Sequence, residues 1–476
     1  MSEIFARKFS EVSGGRFDPQ FYREAIFNNI KRLKERGFQK LKSIIAESSY
    51  GILPPSDSYD PSNPITFIRA TELKEDLQID FNNALKVPHN FLLPRATLQK
   101  DDILIAVKGA TIASKKSVAF VNSNITNTIF NGSIFRIRVD KTKYIPKCLA
   151  YVLDTSLLKM QCKSNLVANN AVDYLDKSVL ENLLIPLPPI PTQQHIIDLM
   201  DKAYKAKKEK ENKAKELLDS IDSYLLEELG IILPLRANNT LDSRIYTQKI
   251  SALSGSRFDA NYHQKYYRDL EKSLLSSPYP VVRLGEILSY ISYGASVPNN
   301  YTQNKDNGIP LLRIKDIKRN EISADDVVYL EQSCKNKLGE CFVKEGDYLI
   351  TRSGTVGVVA MVSAEYDGFA FGSFMIKFSL NGSLVDKNFI SYWLNSKISA
   401  IYFEKNKIGA VQGNITIPII KNTIIPLPPL TEQKRIAKEI SQRKTRAKAL
   451  KQEAKESLES AKKEVEQIIL NCVKKV

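Results

Sequence analysis

Histidine and cysteine are scarce in this chain: three and five residues respectively among 476. His89, His195 and His263 lie far apart and suggest no catalytic cluster. Cys148, Cys162, Cys334, Cys341 and Cys472 are scattered, and the close pair Cys334 and Cys341 has no matching second pair, so the spacing does not read as a zinc site. An odd, sparse set of cysteines fits a reducing compartment better than a disulfide framework. No apolar run reaches membrane-spanning length, and the opening MSEIFARKFSEVSGG lacks the apolar core of a signal peptide. These absences predict a soluble, cytoplasmic protein with no membrane partner, no metal site and no cofactor bound by the chain itself.

What is abundant is positive charge. The net charge is +16, and 43% of the residues are hydrophobic, enough to fill real cores. A chain of 476 residues is too long for one ordinary core and implies two or more domains. A strongly basic surface attracts polyanions through counterion release, and nucleic acid is the commonest in the cytoplasm. A merely soluble or ribosome-associated basic protein is the competing reading of charge alone.

The chain is written twice. Ser13-Gly14-Gly15-Arg16-Phe17-Asp18 is matched by Ser254-Gly255-Ser256-Arg257-Phe258-Asp259. KLKSIIAESSYG, ending at Gly51, is matched by RLGEILSYISYG, ending at Gly294. FIRATEL (Arg69, Glu72) faces LLRIKDI (Arg313, Asp316), and DDILIAVKGATIA (Gly109) faces GDYLITRSGTVGV (Gly354). Ile185-Pro186-Leu187-Pro188-Pro189 matches Ile425-Pro426-Leu427-Pro428-Pro429. These anchors keep their order at a nearly constant offset of roughly 240 residues, the mark of a tandem duplication.

Each half has the same internal order. The segments DDILIAV, SVAFV, SIFRIRV, DYLIT, VGVVAMV and FMIKFSL predict strands, whereas CLAYVLDTSLLKMQC and FISYWLNSKISAIYF predict short helices. PLPP then fixes an extended turn that cannot lie inside a helix. Long helices follow, from about Pro191 to Leu229 and from about Thr431 to Leu470. Apolar stripes run through Ile196, Met200, Ala203, Ala214, Leu217, Ile221, Leu225 and Leu229, and through Ile436, Ile440, Ala447, Leu450, Ala454, Ala461, Val465 and Ile468. Lys207 and Lys210 interrupt the first stripe and Arg443 the second. Each helix is roughly 60 Å long and needs a partner, most simply the other helix; homodimerisation, or packing of each helix on its own domain, is the alternative.

IPLPPIPTQQHII and IPLPPLTEQKRIA, at the heads of the long helices, resemble the helix-head motif of specificity subunits of type I restriction–modification systems. The second copy is the closer, through Pro428, Pro429, Glu432, Gln433 and Ile436; the first departs at Pro191-Thr192. GDYLITRSGTVG and GNITIPIIKNTIIPLPP resemble the same family's target-recognition domains, and VDYLDKSVLENLLIPLPP is a weaker copy. The resemblance implies an α/β fold of two target-recognition domains, residues 1–184 and 233–424, each followed by a spacer helix, 185–232 and 425–476. The helices would pair as an antiparallel coiled coil with pseudo-two-fold symmetry. It implies a non-catalytic DNA-binding subunit that recognises a bipartite double-stranded DNA site with a fixed non-specific gap. Its partners would be two methyltransferase subunits carrying S-adenosylmethionine, and restriction subunits using ATP and Mg. A related type IIB-like complex is the alternative setting.

Direct readout of bases calls for Arg, Lys, Asn or Gln on strands or loops facing the groove. The candidates are Arg69, Lys108, Lys115 and Lys116 in the first half, and Arg313, Lys315, Arg352 and Gln412 in the second. Lys108 and Arg352, each between an apolar strand and a glycine turn, are near-equivalent in the repeat and form the preferred pair. Against each stands the reading that it is a solvated surface charge. Arg16 and Arg257, set in Arg-Phe-Asp, suggest structural salt bridges, and Phe17 and Phe258 core positions. The lysine-rich KAYKAKKEKENKAK of the first long helix is either a phosphate-touching face or a solvated one laced with Glu–Lys pairs.

An enzyme finds little support. Asn63-Pro64-Ile65-Thr66 lacks the second proline and the aromatic of an adenine-methyltransferase motif, and no Walker A sequence appears. A nuclease would need clustered carboxylates for Mg²⁺. Glu72 with Lys74 and Asp316 with Lys318, with Asp60 and Asp306 upstream, are the best set for that reading, but such triplets are common in a chain with 26% charged residues. A coiled-coil adaptor that never touches DNA is the remaining rival, and the charge argues against it.

Overall fold

The computed structural model describes residues 31, 33–164, 174–236, 240, 245–254, 257–296, 300–409 and 413–472. The chain forms two compact units: residues up to Asn212 together with those from Leu450 onward, and Lys213–Ala449.

In the first unit the chain runs through β1 (Ile45–Tyr50), β2 (Ile65–Ile68), β3 (Leu85–Val87), β4 (Ile103–Ala106), β5 (Val118–Phe120), β6 (Thr128–Phe130) and β7 (Ile134–Val139). Helices α1 (Pro146–Leu153) and α2 (Ser156–Ser164) follow, and then α3 (Ile190–Glu228). The main sheet is antiparallel, in the order β1–β7–β4–β5. A smaller sheet, β3–β2–β6, pairs β2 with β6 in parallel. The main sheet is covered on both faces. Ile103, Ile105, Phe135 and Ile137 pack toward the helices, while Leu104, Ala106, Ala119 and Ile134 pack toward the smaller sheet. Burial of both faces explains why ILIA reads as an unbroken apolar run and not an alternation.

The second unit repeats this plan. After α4 (Lys265–Leu275) come β8 (Leu288–Tyr293), β9 (Tyr301–Thr302), β10 (Gly308–Leu312), β11 (Val328–Glu331), β12 (Tyr348–Thr351), β13 (Val359–Met361), β14 (Ala370–Phe371) and β15 (Met375–Leu380). Helices α5 (Lys387–Leu394), α6 (Lys397–Asn406) and α7 (Leu430–Asn471) complete it. The main sheet is again antiparallel, β8–β15–β12–β13, and the smaller one runs β9–β11–β10–β14 with β10 and β14 parallel. The register of the outer strand slips at the same place in both units, between Ile45 and Glu47 and between Leu288 and Tyr290. The repeated Gly51 and Gly294 have a steric cause. A Cβ on Gly51 would fall 2.0 Å from Phe130 O, and one on Gly294 2.2 Å from Gly372 O.

Each long helix serves both units. In the first, Ile196, Ile197 and Met200 of α3 share a core with Leu458, Ala461, Val465 and Ile469 of α7. In the second, Leu225 and Leu229 share one with Ile436, Ala437 and Ile440. The pairing is antiparallel: Ser220 meets Arg443 and Glu228 meets Arg435, so eight residues forward on α3 are eight back on α7. The charges that interrupt the stripes are all partnered. Lys207 reaches Asp76 and Glu211, and Lys210 lies 3.2 Å from Glu453. Arg443 donates to Ser220 Oγ at 3.0 Å and to Glu439 at 2.8 Å, and stacks 4.4 Å from the Tyr224 ring centre.

The glutamines at the helix heads act as bolts. Buried Gln193 accepts from Ile145 N at 2.7 Å and donates to Pro188 O at 2.9 Å. Buried Gln433 accepts from Asp386 N at 2.8 Å and donates to Pro428 O at 2.8 Å. Each joins the PLPP turn and its long helix to the loop that opens the short helices.

A buried cation lies under each main sheet. Arg136 in β7 is 0% exposed; it donates to Thr97 O at 2.9 Å and pairs with Glu47. Its neighbour Arg138 binds Glu47 and Asp102, both at 2.7 Å. The matching residue in β15 is Lys377, which donates to Phe342 O at 2.7 Å. The place of Glu47 is taken by Tyr290, whose ring centre lies 5.1 Å from the Lys377 ammonium. One half therefore sets the Glu47 carboxylate against its buried cation; the other sets a π-face in that place and leaves the opposite charge to Asp347, 3.9 Å from the Lys377 ammonium.

Phe258, expected in the core, is 84% exposed. The buried side chain of that segment is His263, whose ring nitrogen bonds Arg257 O, and this leaves the extended stretch before it at the surface. Arg257 does form the expected salt bridge, to Asp259 at 2.7 Å. Arg16 and Phe17 lie outside the described residues.

Candidate nucleic-acid interface

The matched arginines of the two halves have a structural use. Arg69 caps a tight turn, Ala70–Glu72, whose third residue, Glu72, is buried. Glu72 accepts from Arg69 N at 2.7 Å, Nε at 3.0 Å and Nη2 at 2.7 Å, and from Thr71 Oγ1 at 2.8 Å. Arg313 does the same with buried Asp316, from N at 2.8 Å and Nε at 3.5 Å, and also donates to Asp326 O. These reciprocal bonds close the loop after β2 and after β10. The sequence signal was present as Arg-x-x-Glu and Arg-x-x-Asp: the acidic side chain reaches back to the arginine's backbone N–H as in a capping box, while the donor-only guanidinium bonds the same carboxylate instead of accepting from the backbone.

The same geometry bears on the nuclease alternative. Both Glu72 oxygens are taken by local donors, and Lys74 lies 3.4 Å from Asp80. Asp60 accepts from Ser62 in its own turn. Among the described residues no group of three or more His, Cys, Asp or Glu side chains could hold a metal ion.

Lys108 and Arg352 are not superimposed by the fold. Val107 N donates to Ser133 O at 2.9 Å, and Arg352 N to Phe374 O at 2.9 Å; Leu175 N donates to Val107 O and Ile415 N to Arg352 O. Arg352 thus occupies the place of Val107, and Ser353 that of Lys108, as the bridges Lys108–Tyr174 and Ser353–Asn414 confirm. A shift of one residue in extended chain turns a side chain to the other face. Lys108 is exposed beside Gly109, whereas Arg352 is half-buried, its guanidinium carbon 4.8 Å from the Tyr293 ring centre. Both are followed by a left-handed glycine, Gly109 at φ 72° and Gly354 at φ 73°.

Lys115 and Lys116 are exposed on the turn between Ser114 and Ser117. Lys115 lines a cleft of about 420 Å³ in the first unit, with Lys207, Lys451, Lys455 and Lys462. The lysine-rich middle of α3 therefore meets the recognition domain through the Lys207–Asp76 pair, whereas Lys210 pairs with Glu453 of α7. Lys315 is exposed, 3.6 Å from Asp326. It adjoins the glycine turn, because Ile314 Cδ1 lies 3.8 Å from where a Gly354 Cβ would stand. Gln412 lies outside the described residues. Reading the sequence missed Tyr293 and Phe374, which flank Arg352 on the surface; an aromatic ending the strand before the repeated glycine was the available signal for Tyr293.

No helix among the described residues is long and apolar enough to cross a membrane. The profile of the family described as "Type I restriction modification DNA specificity domain" matches twice, over residues 45–219 and 276–460. The chain is 23% identical over 326 residues to the type I restriction enzyme MjaVIII specificity subunit of Methanocaldococcus jannaschii, covering 67% of each. It is 21% identical over 320 residues to the EcoBI specificity subunit of Escherichia coli, covering 66% of this chain and 62% of that one. A solved chain from work on complex assembly and conformational transition of the type I R-M system shares the fold, with TM-score 0.55 and 16% identity over 92% of this chain and 97% of that one. Two matched domains on two units of one topology place the chain in the family of type I restriction–modification DNA specificity subunits.

Proposed function

We propose that the chain reads a split site on double-stranded DNA, one short half-site per unit, with a non-specific gap between them. The observation that carries this is the duplication itself. Two units with the same main-sheet order carry different side chains at matched positions before the glycine turn: exposed Lys108 stands where the second unit has buried Ser353, and half-buried Arg352 where the first has buried Val107. A shared scaffold with diverged readers suits two unlike half-sites better than a palindrome. Lysines such as Lys108, Lys115, Lys116 and Lys315 would supply phosphate attraction and register; Arg352, by its planar fork, and Gln412, by its residue type alone, are the candidates for base edges. Arg69 and Arg313 would act by shaping their loops.

In this reading the chain is non-catalytic and works in the cytoplasm. Two methyltransferase subunits carry S-adenosylmethionine, and restriction subunits use ATP and Mg. The long helices act as a spacer, so that adding or removing helical residues changes the gap and rotates one reader about the duplex. The test is to co-express the chain with its methyltransferase partner and map methylated adenines across a genome by single-molecule sequencing. Two short motifs at constant spacing are expected. A continuous motif, or no methylation from a stable, cofactor-loaded complex, would overturn the proposal.

A further inference from the structure

Among the candidate arginines, Arg352 differs in how its donors are used. Arg69 and Arg313 spend theirs on Glu72, Asp316 and Asp326, and Lys315 lies beside Asp326. The Arg352 guanidinium has no hydrogen-bond or ion-pair partner among the described residues, and its Nε is buried and unsatisfied. What holds it is the Tyr293 ring, 4.8 Å from the guanidinium carbon. The ring is itself fixed, since Tyr293 OH accepts from Ile417 N at 3.2 Å. The Arg352 backbone is clamped on both sides, by Phe374 O at 2.9 Å and by Ile415 N at 3.0 Å. A cation is therefore held in place by its surroundings while its outer donors stay unspent, and the buried Nε alone bears the cost of lacking a partner.

A second feature adjoins it. Phe374, whose carbonyl holds Arg352 N, is 58% exposed, and Tyr293 is 39% exposed. The corresponding positions in the first unit are Ser133, Val107 and Tyr50, with no arginine and no phenylalanine. The pair is thus peculiar to one unit on a scaffold common to both, as a specificity element should be and a folding element need not be.

We infer that Arg352 is the base-reading residue of the second unit and takes a guanine, donating to N7 and O6 on its major-groove edge. Tyr293 is a positioning residue that holds the guanidinium plane, and Phe374 packs on the methyl group of a neighbouring thymine. This rests on the reading that the chain recognises DNA. A planar fork with parallel N–H groups matches the two guanine acceptors, which an ammonium cannot do. An exposed phenyl ring is a recognised partner for the thymine methyl.

The test uses the complex with the methyltransferase subunit, measured by fluorescence anisotropy on duplexes carrying the mapped site and its single-base variants. Arg352→Lys keeps the charge and loses the fork. It should lose about ten-fold or more of the preference for guanine at one position of one half-site. The other half-site and the salt dependence should stay unchanged. Tyr293→Leu should lose the same preference, and Tyr293→Phe, which keeps the ring and gives up only its hydroxyl anchor, should lose less of it. Phe374→Ser should lower the preference for thymine over uracil at the adjacent position, an exchange that removes only the methyl. Uniform weakening on every duplex by Arg352→Lys would make the residue a phosphate contact and overturn the inference, as would an unchanged preference. A Tyr293→Leu variant that reads guanine normally would remove the positioning role. If the unsubstituted complex prefers no duplex, DNA recognition itself fails before any variant is compared, and this inference falls with it.

Discussion

Arg136 shows how a single residue can set local stability. A buried guanidinium is tolerated only because Glu47, with Arg138 and Asp102 beside it, completes its surroundings. Burial works against the charge of Glu47, but the hydrogen bond from Arg138 and the charges of both arginines outweigh it and hold the carboxyl below its usual range. A depressed carboxylate stabilises the fold above its unfolded value of about 4.3, and that contribution is lost as pH falls through the folded value. Because Glu47 is itself half-exposed, Glu47→Gln is expected to destabilise the first unit by only about 1–2 kcal/mol at neutral pH, between the cost of breaking a surface pair and a buried one. It should also flatten the acid limb of a stability–pH profile followed by thermal melting; an unchanged acid limb would deny Glu47 this role. Gln433 offers a second check. Gln433→Leu strands Asp386 N and Pro428 O, at a cost of about 1–3 kcal/mol, and amide exchange should accelerate at Asp386 before the main sheet is affected.

Among the elements, the long helices depend on their shared seam more than on their surface charges. Ile440→Ala removes a fully buried side chain from the seam of the second unit and should cost about 2–5 kcal/mol in chemical unfolding. Glu228→Gln breaks only an exposed pair with Arg435 and should cost at most about 1 kcal/mol. The helices were legible in the sequence because one apolar stripe runs for many turns without Pro or Gly; the observed Ile190–Glu228 and Leu430–Asn471 lie within a residue of the expected bounds. The main-sheet strands were legible too, as short runs of branched and aromatic residues. Hidden from view were the smaller sheets, whose two- to five-residue strands Tyr301–Thr302 or Gly308–Leu312 carry too little pattern, and whose parallel pairing depends on distant partners. The one-residue offset between Lys108 and Arg352 was legible: Ala-Val-Lys-Gly and Thr-Arg-Ser-Gly are equal in length, so aligning Gly109 with Gly354 sets Lys108 against Ser353 and Val107 against Arg352, as the backbone hydrogen bonds do. Arg69 and Gln193 were visible as repeated letters, but their use appears only with Glu72 buried and the Ile145 amide in place.

At the level of the whole molecule, the duplication predicts modular behaviour. Replacing the region before Pro186 with that of a relative should change one half-site of the methylation motif and leave the other and the spacing intact. A change in both would mean that the units do not read independently. The units are modular in topology but not in chain order, because the first is finished by residues from Leu450 onward. During synthesis the second unit has all its residues once Ala449 is made, whereas the first must wait for the α7 turns bearing Leu458, Ala461, Val465 and Ile469. At about 5–20 residues per second that wait lasts on the order of ten to fifty seconds. The domain translated first is thus the last to be completed, and a late stop codon would damage the beginning of the protein more than its middle.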